Sequence, residues 1–303
     1  MLRCAMASLS QAVAAASDEK VMPVWIIDGL SNFSPYYGLP LGLLIVPVVL
    51  FRRWKLVALA AVPFMVWGVV MISVNWFLVP ARSCSEPSAL RVVTANVMVG
   101  NTQRGALADA ILDQSPDVVV FEELVVDLEE LSPALAKAYP YRISTETPWV
   151  TLASRLPLED MRRVPLDPAI PGREPLAAQV RIGDQLVTLL GTHEIPALSR
   201  ITYREHLKQY ELLEREVREA SGPVMVIGDI NATVYSPAFV RLLMRTDLRS
   251  VSDGSQHPTH TPTLNLSIRI DHVLIRDLTA CEEQVFELPG SDHDGLVVGV
   301  RLK

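Results

Sequence analysis

Between residues 90 and 300 the sequence holds six apolar runs of strand length, and each ends on or beside a polar side chain. Residues 90–93 precede Asn96, 118–121 precede Glu123, 186–190 precede His193, and 224–227 precede Asp229 and Asn231. Ile270 and Val273 flank Asp271, and Asp292 with His293 stand before 296–300. Runs this apolar need burial, and a run that ends in Asp, Asn, Glu or His sets a polar head at the rim of a buried sheet. Binding and catalytic sites are built at such rims. Six endings of this kind predict one convergent site.

The chemistry open to these groups is narrow. Asn96 and Glu123 offer hard oxygen donors suited to Mg2+, with Mn2+ as an alternative, and no soft-ligand cluster competes with them. His193, Asn231 and His293 suit the oxygens of a phosphoryl group, while Asp229 suits orienting or deprotonating a water. Either Asp271 or Asp292 can hold His293 in one tautomer and favour its charged form. Together they describe metal-assisted hydrolysis of a phosphoester. Taken singly each residue has a plainer reading, as a turn former, a helix cap or a satisfied hydrogen-bonder. That plainer reading is kept for His257, His260 and His272, and His206 is expected to face solvent or a helix edge.

The motifs around these residues are Thr94-Ala95-Asn96, the run ending Phe121-Glu122-Glu123-Leu124, Gly191-Thr192-His193, Gly228-Asp229-Ile230-Asn231, Ile270-Asp271-His272 and Ser291-Asp292-His293. In this order the set resembles the endonuclease/exonuclease/phosphatase superfamily, over about residues 90–303. The resemblance implies an α+β fold, a four-layer α-β-β-α sandwich. It implies that Asn96 and Glu123 bind the metal, Glu123 foremost, with Asp292 near it. It further implies that Asp229 activates water, Asn231 steadies the transition state, His193 contacts the scissile phosphate, and His293 is a second catalytic histidine oriented by Asp271. Three departures are local: Glu122 stands where relatives often have Gln, Asp294-Gly295 follows the Ser-Asp-His element where many place a Pro, and Ser154-Arg155 lacks the usual preceding glycine.

The first eighty residues carry a different signal. Residues 33–51 and 56–78 are free of charge, each near the ~20 residues that span a bilayer. Only Arg52-Arg53-Trp54-Lys55 separates them. Transmembrane helices joined by a basic turn predict a hairpin whose turn is cytoplasmic, so that a domain at 89–303, after a linker at 81–88, lies in the periplasm or outside the cell. Residues 1–17 read as a weak signal peptide or a third span, and residues 22–30 as an interfacial segment interrupted by Asp28. If the domain is extracytoplasmic, Cys84 and Cys281 have the chance to pair.

Strands are expected at 90–97, 117–122, 149–154, 177–182, 185–192, 224–229, 268–275 and 296–301. Helices are expected at 102–114, 127–138 with a break at Pro133, 199–220 and 237–245. The chain is acidic, at −7 overall, and residues 86–303 hold 21 basic and 31 acidic residues. Duplex DNA normally meets a basic footprint, so small or lipid-borne phosphoesters are the expected substrates. The competing reading is a catalytically silent membrane protein that uses the fold to bind a phosphorylated ligand or partner.

Overall fold

The computed structural model describes residues 24–38, 40, 43, 54–77, 84, 87–147, 149–166, 172–251, 257–261 and 266–303. Helix α1 (Val24–Ser31) and a 3-10 turn (Ser34–Tyr37) precede a long helix α2 (Trp54–Phe77). There follow β1 (Leu90–Asn96), α3 (Arg104–Asp113), β2 (Val118–Glu122), α4 (Leu128–Leu131), α5 (Pro133–Ala138), β3 (Tyr141–Ser144), β4 (Val150–Ser154), β5 (Leu158–Arg163) and β6 (Leu176–Ile182). The chain continues through β7 (Gln185–His193), α6 (Arg200–Glu219), β8 (Val224–Asp229), α7 (Pro237–Thr246), β9 (Arg249–Ser250), β10 (Asp271–Arg276), β11 (Leu278–Glu287) and β12 (Asp294–Leu302).

The strands form two six-stranded mixed sheets, ordered β11-β12-β1-β2-β4-β3 and β5-β6-β7-β8-β10-β9. Alternation along the strands sends one set of side chains between the sheets and the other outward. Val92, Val120 and Leu152 of the first sheet share the middle layer with Val187, Leu189, Ile227 and Val273 of the second. Val93, Val119 and Phe121 face α3, α4 and α5 on one outside, and Leu190, Val224 and Val226 face α6 and α7 on the other. The central strands thereby lose both faces to packing, and each fully buried Val or Leu contributes about 1.5–3 kcal/mol.

Both sheets hold one parallel pair near the centre, β1 with β2 and β7 with β8. The carboxyl ends of all four strands point to the same end of the sandwich, where Asn96, Glu122, His193 and Asp229 stand. Asp271, at the start of antiparallel β10, pairs with Asp229 and so reaches the same end.

The helix limits follow local chemistry. Ser132 caps α5 and Pro133 opens it, which produces the expected break, and Ser199 closes a capping box with Thr202 on α6. Four strands were not expected: β3, β5, β9 and β11. Strand β5 is an edge strand, exposed after its first residue, and β11 has a register shift between Ala280 and Glu282 that breaks the alternation. His206, expected at a solvent or edge position, is fully buried beneath Tyr210.

The amino-terminal segment differs from expectation as well. Helix α1, read as interfacial, docks on the domain through Asp28, which accepts hydrogen bonds from Ser236 Oγ (2.9 Å) and the Ala238 amide (3.2 Å) at the start of α7. Asn32 Oδ1 accepts from the Thr233 amide at 2.6 Å, and Tyr36 donates to the Ser267 carbonyl at 2.6 Å. The expected span at 33–51 therefore opens on a turn held to the domain, and most of the remainder lies outside the described residues. So do residues 1–17 and the basic turn at 52–53.

Helix α2 is 24 residues long with Lys55 as its one charge, and Val62, Met65, Val66, Val69 and Ile72 are exposed along it. Part of it lies outside the described side chains; among the described residues no helix is long and apolar enough to cross a membrane. Cys84 and Cys281 form a disulfide that ties the chain after α2 to edge strand β11.

Candidate active site

The polar endings meet because they share one parity. On β7 the inward series Val187, Leu189 and Gly191 ends at His193; on β8 Met225 and Ile227 lead to Asp229; on β10 Val273 leads back to Asp271. His193 and Asp271 are both register partners of Asp229, so the three stand abreast on adjacent strands. On the first sheet Val92 and Thr94 lead to Asn96, whose register partner is Glu122. Glu123 would by alternation point toward α3, but its φ of 59° turns the chain, and its side chain comes to the same end.

Asp229 is the hub. Its Oδ2 accepts from Asn96 Nδ2 at 3.1 Å and lies 3.5 Å from His193 Nε2 and 3.9 Å from His293 Nε2, while its Oδ1 accepts from the Asn231 amide at 2.9 Å. Asn96 Nδ2 also reaches Glu123 Oε1 at 3.4 Å, which lies 3.9 Å from His193 Nε2. The second Glu123 oxygen accepts from the Val99 amide at 3.1 Å. His293 Nδ1 is 2.8 Å from Asp271 Oδ2. Ser291 ties the end of β1 to the segment before β12: its hydroxyl donates to the Asn96 carbonyl at 2.7 Å and accepts from the His293 amide at 3.1 Å.

Burial sets the charges. It pushes the Asp229 carboxyl up, Asp271 adds to that, and His293, the Asn231 amide and Asn96 oppose it. Burial would lower His293, but the charge and hydrogen bond of Asp271, with Asp229 and Asp292 beyond, raise it to about 10. His193 is held well below its ordinary range by burial and then by the charges of Arg173 and His293. The site thus pairs a charged imidazole, His293, with a neutral one, His193.

Seven expected residues converge: Asn96, Glu123, His193, Asp229, Asn231, Asp271 and His293. Asp292 sits further out, its carboxylate half-exposed and 4.0 Å from His260 Nδ1. Asn231 meets Asp229 through its backbone, while its amide nitrogen donates to the Glu194 carbonyl at 2.9 Å. His260, given a plain structural reading, stacks on His293 with ring centres 4.5 Å apart and pairs with it as a β-bridge. Thr259 beside it accepts from the Asp271 amide at 3.1 Å. Neither follows an apolar run, so the pattern that exposed the others passed over them. Glu122 does not join Glu123: it is fully buried, accepts from Thr94 Oγ1 at 2.8 Å, and burial followed by the charge of Asp271 pushes its carboxyl well up.

The donor set fits a hard divalent cation: carboxylates dominate, and among the described residues no thiol is near. Glu123 is a quarter exposed and has oxygens open to a further partner. Asn96 presents Nδ2 to Glu123, so ligation by this residue requires the amide to turn and offer Oδ1. Single ligand atoms of Asp229, Asp271 and His293 also lie within 4.8 Å of one another, as do those of His260, Asp292 and His293.

Comparison with solved structures places this fold among known ones. The chain is similar to an endonuclease/exonuclease/phosphatase from Beutenbergia cavernae (TM-score 0.58, 20% identity, 72% of each chain). It is also similar to the human Nocturnin catalytic domain with bound sulfate (0.59, 16%, 73% of this chain and 98% of that one). A third is sphingomyelinase C from Streptomyces griseocarneus (0.52, 19%, 71% and 99%). Among curated proteins, a UPF0294 protein of Vibrio cholerae is 29% identical over 185 residues, which cover 59% of this chain and 54% of the relative. The match thus spans about half the length of that relative. The Endonuclease/Exonuclease/phosphatase family matches residues 93–293, the stretch that carries every converging side chain, and the chain belongs to that family.

Proposed function

We propose that the protein is a membrane-anchored, divalent-metal-dependent phosphoesterase that acts outside the cytoplasm. The observation that carries the hydrolytic reading is the Asp229 hub, one carboxylate oxygen facing Asn96, His193 and His293 together. Glu123 and a turned Asn96 would hold Mg2+ or Mn2+, which when bound polarises a phosphoryl oxygen and offsets its charge. Asp229, fixed through Oδ1 by the Asn231 amide, takes a proton from water on Oδ2. The water oxygen bonds to phosphorus as the bond to the leaving oxygen breaks, and that oxygen takes the Nε2 proton of His293. Asp271 holds His293 charged for this transfer, and neutral His193 donates toward the phosphoryl oxygens.

Four features support the membrane part. Residues 24–37 pack on the catalytic domain, so whatever crosses the membrane between them and Cys84 crosses an even number of times. The basic turn at 52–55 then favours the cytoplasmic side for the turn and the far side for the domain. The exposed apolar side chains of α2 are suited to lipid, and the Cys84–Cys281 bond suits an oxidising compartment. With an acidic domain beside a bilayer, lipid headgroups and small phosphoesters are favoured over duplex DNA.

Purified full-length protein in detergent, given a panel of aryl, nucleotide, sugar and lipid phosphodiesters with Mg2+ or Mn2+, should hydrolyse at least one. EDTA should abolish the activity and Asp229→Ala should lower it at least about a hundredfold. Activity that survives both, or inertness across the panel, contradicts the reading. A reporter enzyme active only outside the cytoplasm, fused after Lys303, should be active; a cytoplasmic signal overturns the topology.

A further inference from the structure

We propose that Arg173, laid on the indole of Trp149, is the anion-binding residue of this site and takes a non-bridging oxygen of the substrate's phosphoryl group. This rests on the phosphoesterase reading and adds to it the residue that recognises the phosphate.

The geometry brings Arg173 to the site by three separate routes. Its Nη1 donates to the Glu194 carbonyl at 3.1 Å, the same oxygen that accepts from Asn231 Nδ2 at 2.9 Å, so guanidinium and Asn231 amide meet at one acceptor. Its guanidinium carbon stands 5.0 Å over the ring of Trp149, and that ring lies 6.3 Å from the ring of His193. Its own carbonyl accepts from Nε2 of the buried Gln209 at 3.3 Å, and the same nitrogen is 3.4 Å from the His193 carbonyl. Gln209 thereby holds the backbones of Arg173 and His193 together.

The turn before it is built for this placement. Gly172 has a φ of +75°, and a Cβ there would come within 2.8 Å of Trp149 Cδ1, so the indole lies where only glycine leaves room.

The guanidinium is under-used where it stands. It has five N–H donors, yet among the described residues it makes that one hydrogen bond, and no carboxylate lies within 4 Å of it. An arginine that served only to tie down a carbonyl would not need the planar face of a tryptophan beneath it. Stacking leaves the edge of the fork free, and the fork matches two phosphoryl oxygens. The electrostatics agree: burial lowers the guanidinium's pKa, and the carboxylates of Asp229, Glu123 and Glu194 raise it, so it lies within the field of the reacting groups.

The test uses full-length protein in detergent and inorganic phosphate as the probe, with binding read by calorimetry, so that it does not depend on turnover. Wild type should bind phosphate, Arg173→Ala should bind it at least about tenfold more weakly, and Arg173→Lys should fall between, since lysine keeps the charge and loses the fork. With a hydrolysed substrate, Arg173→Ala should raise KM by a similar factor with a smaller change in kcat. A far-UV spectrum and thermal midpoint like those of wild type exclude misfolding, and Trp149→Ala, which removes the platform and no charge, should weaken phosphate binding as well. Phosphate binding by Arg173→Ala equal to wild type, or no binding by wild type at about 50 mM phosphate, far above the range of a charge-assisted site, overturns the proposal. Arg173-dependent phosphate binding in a protein that hydrolyses nothing would sustain the anion site while the phosphoesterase reading failed.

Discussion

The second sheet buries polar groups on both faces at the same end, and the two faces treat them differently. On the face toward the first sheet, His193, Asp229 and Asp271 stand abreast with His293 against them, and imidazoles meet carboxylates. On the face toward the helices, His272 is 3.0 Å from the Ala232 carbonyl through Nε2 and 3.4 Å from Ser250 Oγ through Nδ1, and it packs on Phe239. His206 of α6 is 2.6 Å from the Ile195 carbonyl. These imidazoles meet neutral partners.

Charge sets His293 apart, since buried His193 stays neutral as the helix-facing pair does. Burial takes His272 down to about 3 and His206 down to about 4, while Asp271 carries His293 up to about 10. Residue type therefore says little here, and the partners a histidine meets decide whether it is structural or chemical.

The largest expected effect is on the inner face. His293→Ala should cut hydrolysis by about 10²–10⁴-fold and also lower the thermal midpoint, since it leaves the buried Asp271 carboxylate unpaired; wild-type turnover by the folded fraction of His293→Ala would place His293 with the structural histidines.

Acid should reveal the helix-facing pair. Both have folded pKa values below the ordinary 6.5, so below that pH the unfolded chain binds protons that the folded one refuses, and stability falls as pH drops toward about 4 for His206 and about 3 for His272. His206 alone would account for on the order of 3 kcal/mol by pH 4. Urea midpoints measured from pH 7 to pH 4 should fall, and fall less steeply in His206→Gln; identical slopes would contradict the assignment.

His272→Ala should destabilise by about 1–3 kcal/mol through its lost hydrogen bonds and its packing on Phe239, and leave kcat of the folded fraction unchanged. The smallest effect is expected at the amino-terminal clamp. Asp28→Ala removes the acceptor for Ser236 and for the Ala238 amide and should cost about 1 kcal/mol, read as a midpoint shift of a few degrees; a change in KM instead would show that the clamp reaches Asp229 and Asn231.

Much of the site was legible in the sequence, since each apolar run of strand length ends on or beside a polar residue at the rim of a buried sheet. Val224 to Ile227 leads to Asp229 as directly in the chain as in the fold, and the same rule located Asn96, His193 and Asp271. What escaped it depends on geometry between distant segments. The turn at Glu123 rests on a left-handed φ, and His206 looked like an edge residue until α6 met the loop at Ile195. Arg173 follows a glycine turn and no apolar run. The pairing of Cys84 with Cys281 depends on where edge strand β11 lies, and the charged residues after Ala280 hid that strand. Helix α1 read as an interfacial segment because its partners, Thr233, Ser236 and Ala238, lie some two hundred residues away.

The central claim is that the inner-face groups form one metal-dependent hydrolytic centre, and the Mg2+ dependence of hydrolysis by wild type and Glu123→Ala tests it most directly. Wild-type rate should rise with Mg2+ and saturate, and Glu123→Ala should need at least about tenfold more Mg2+ or fail to saturate, as removal of a principal carboxylate ligand requires. A wild-type rate indifferent to Mg2+ and EDTA, or a Glu123→Ala curve that overlays it, would contradict the account.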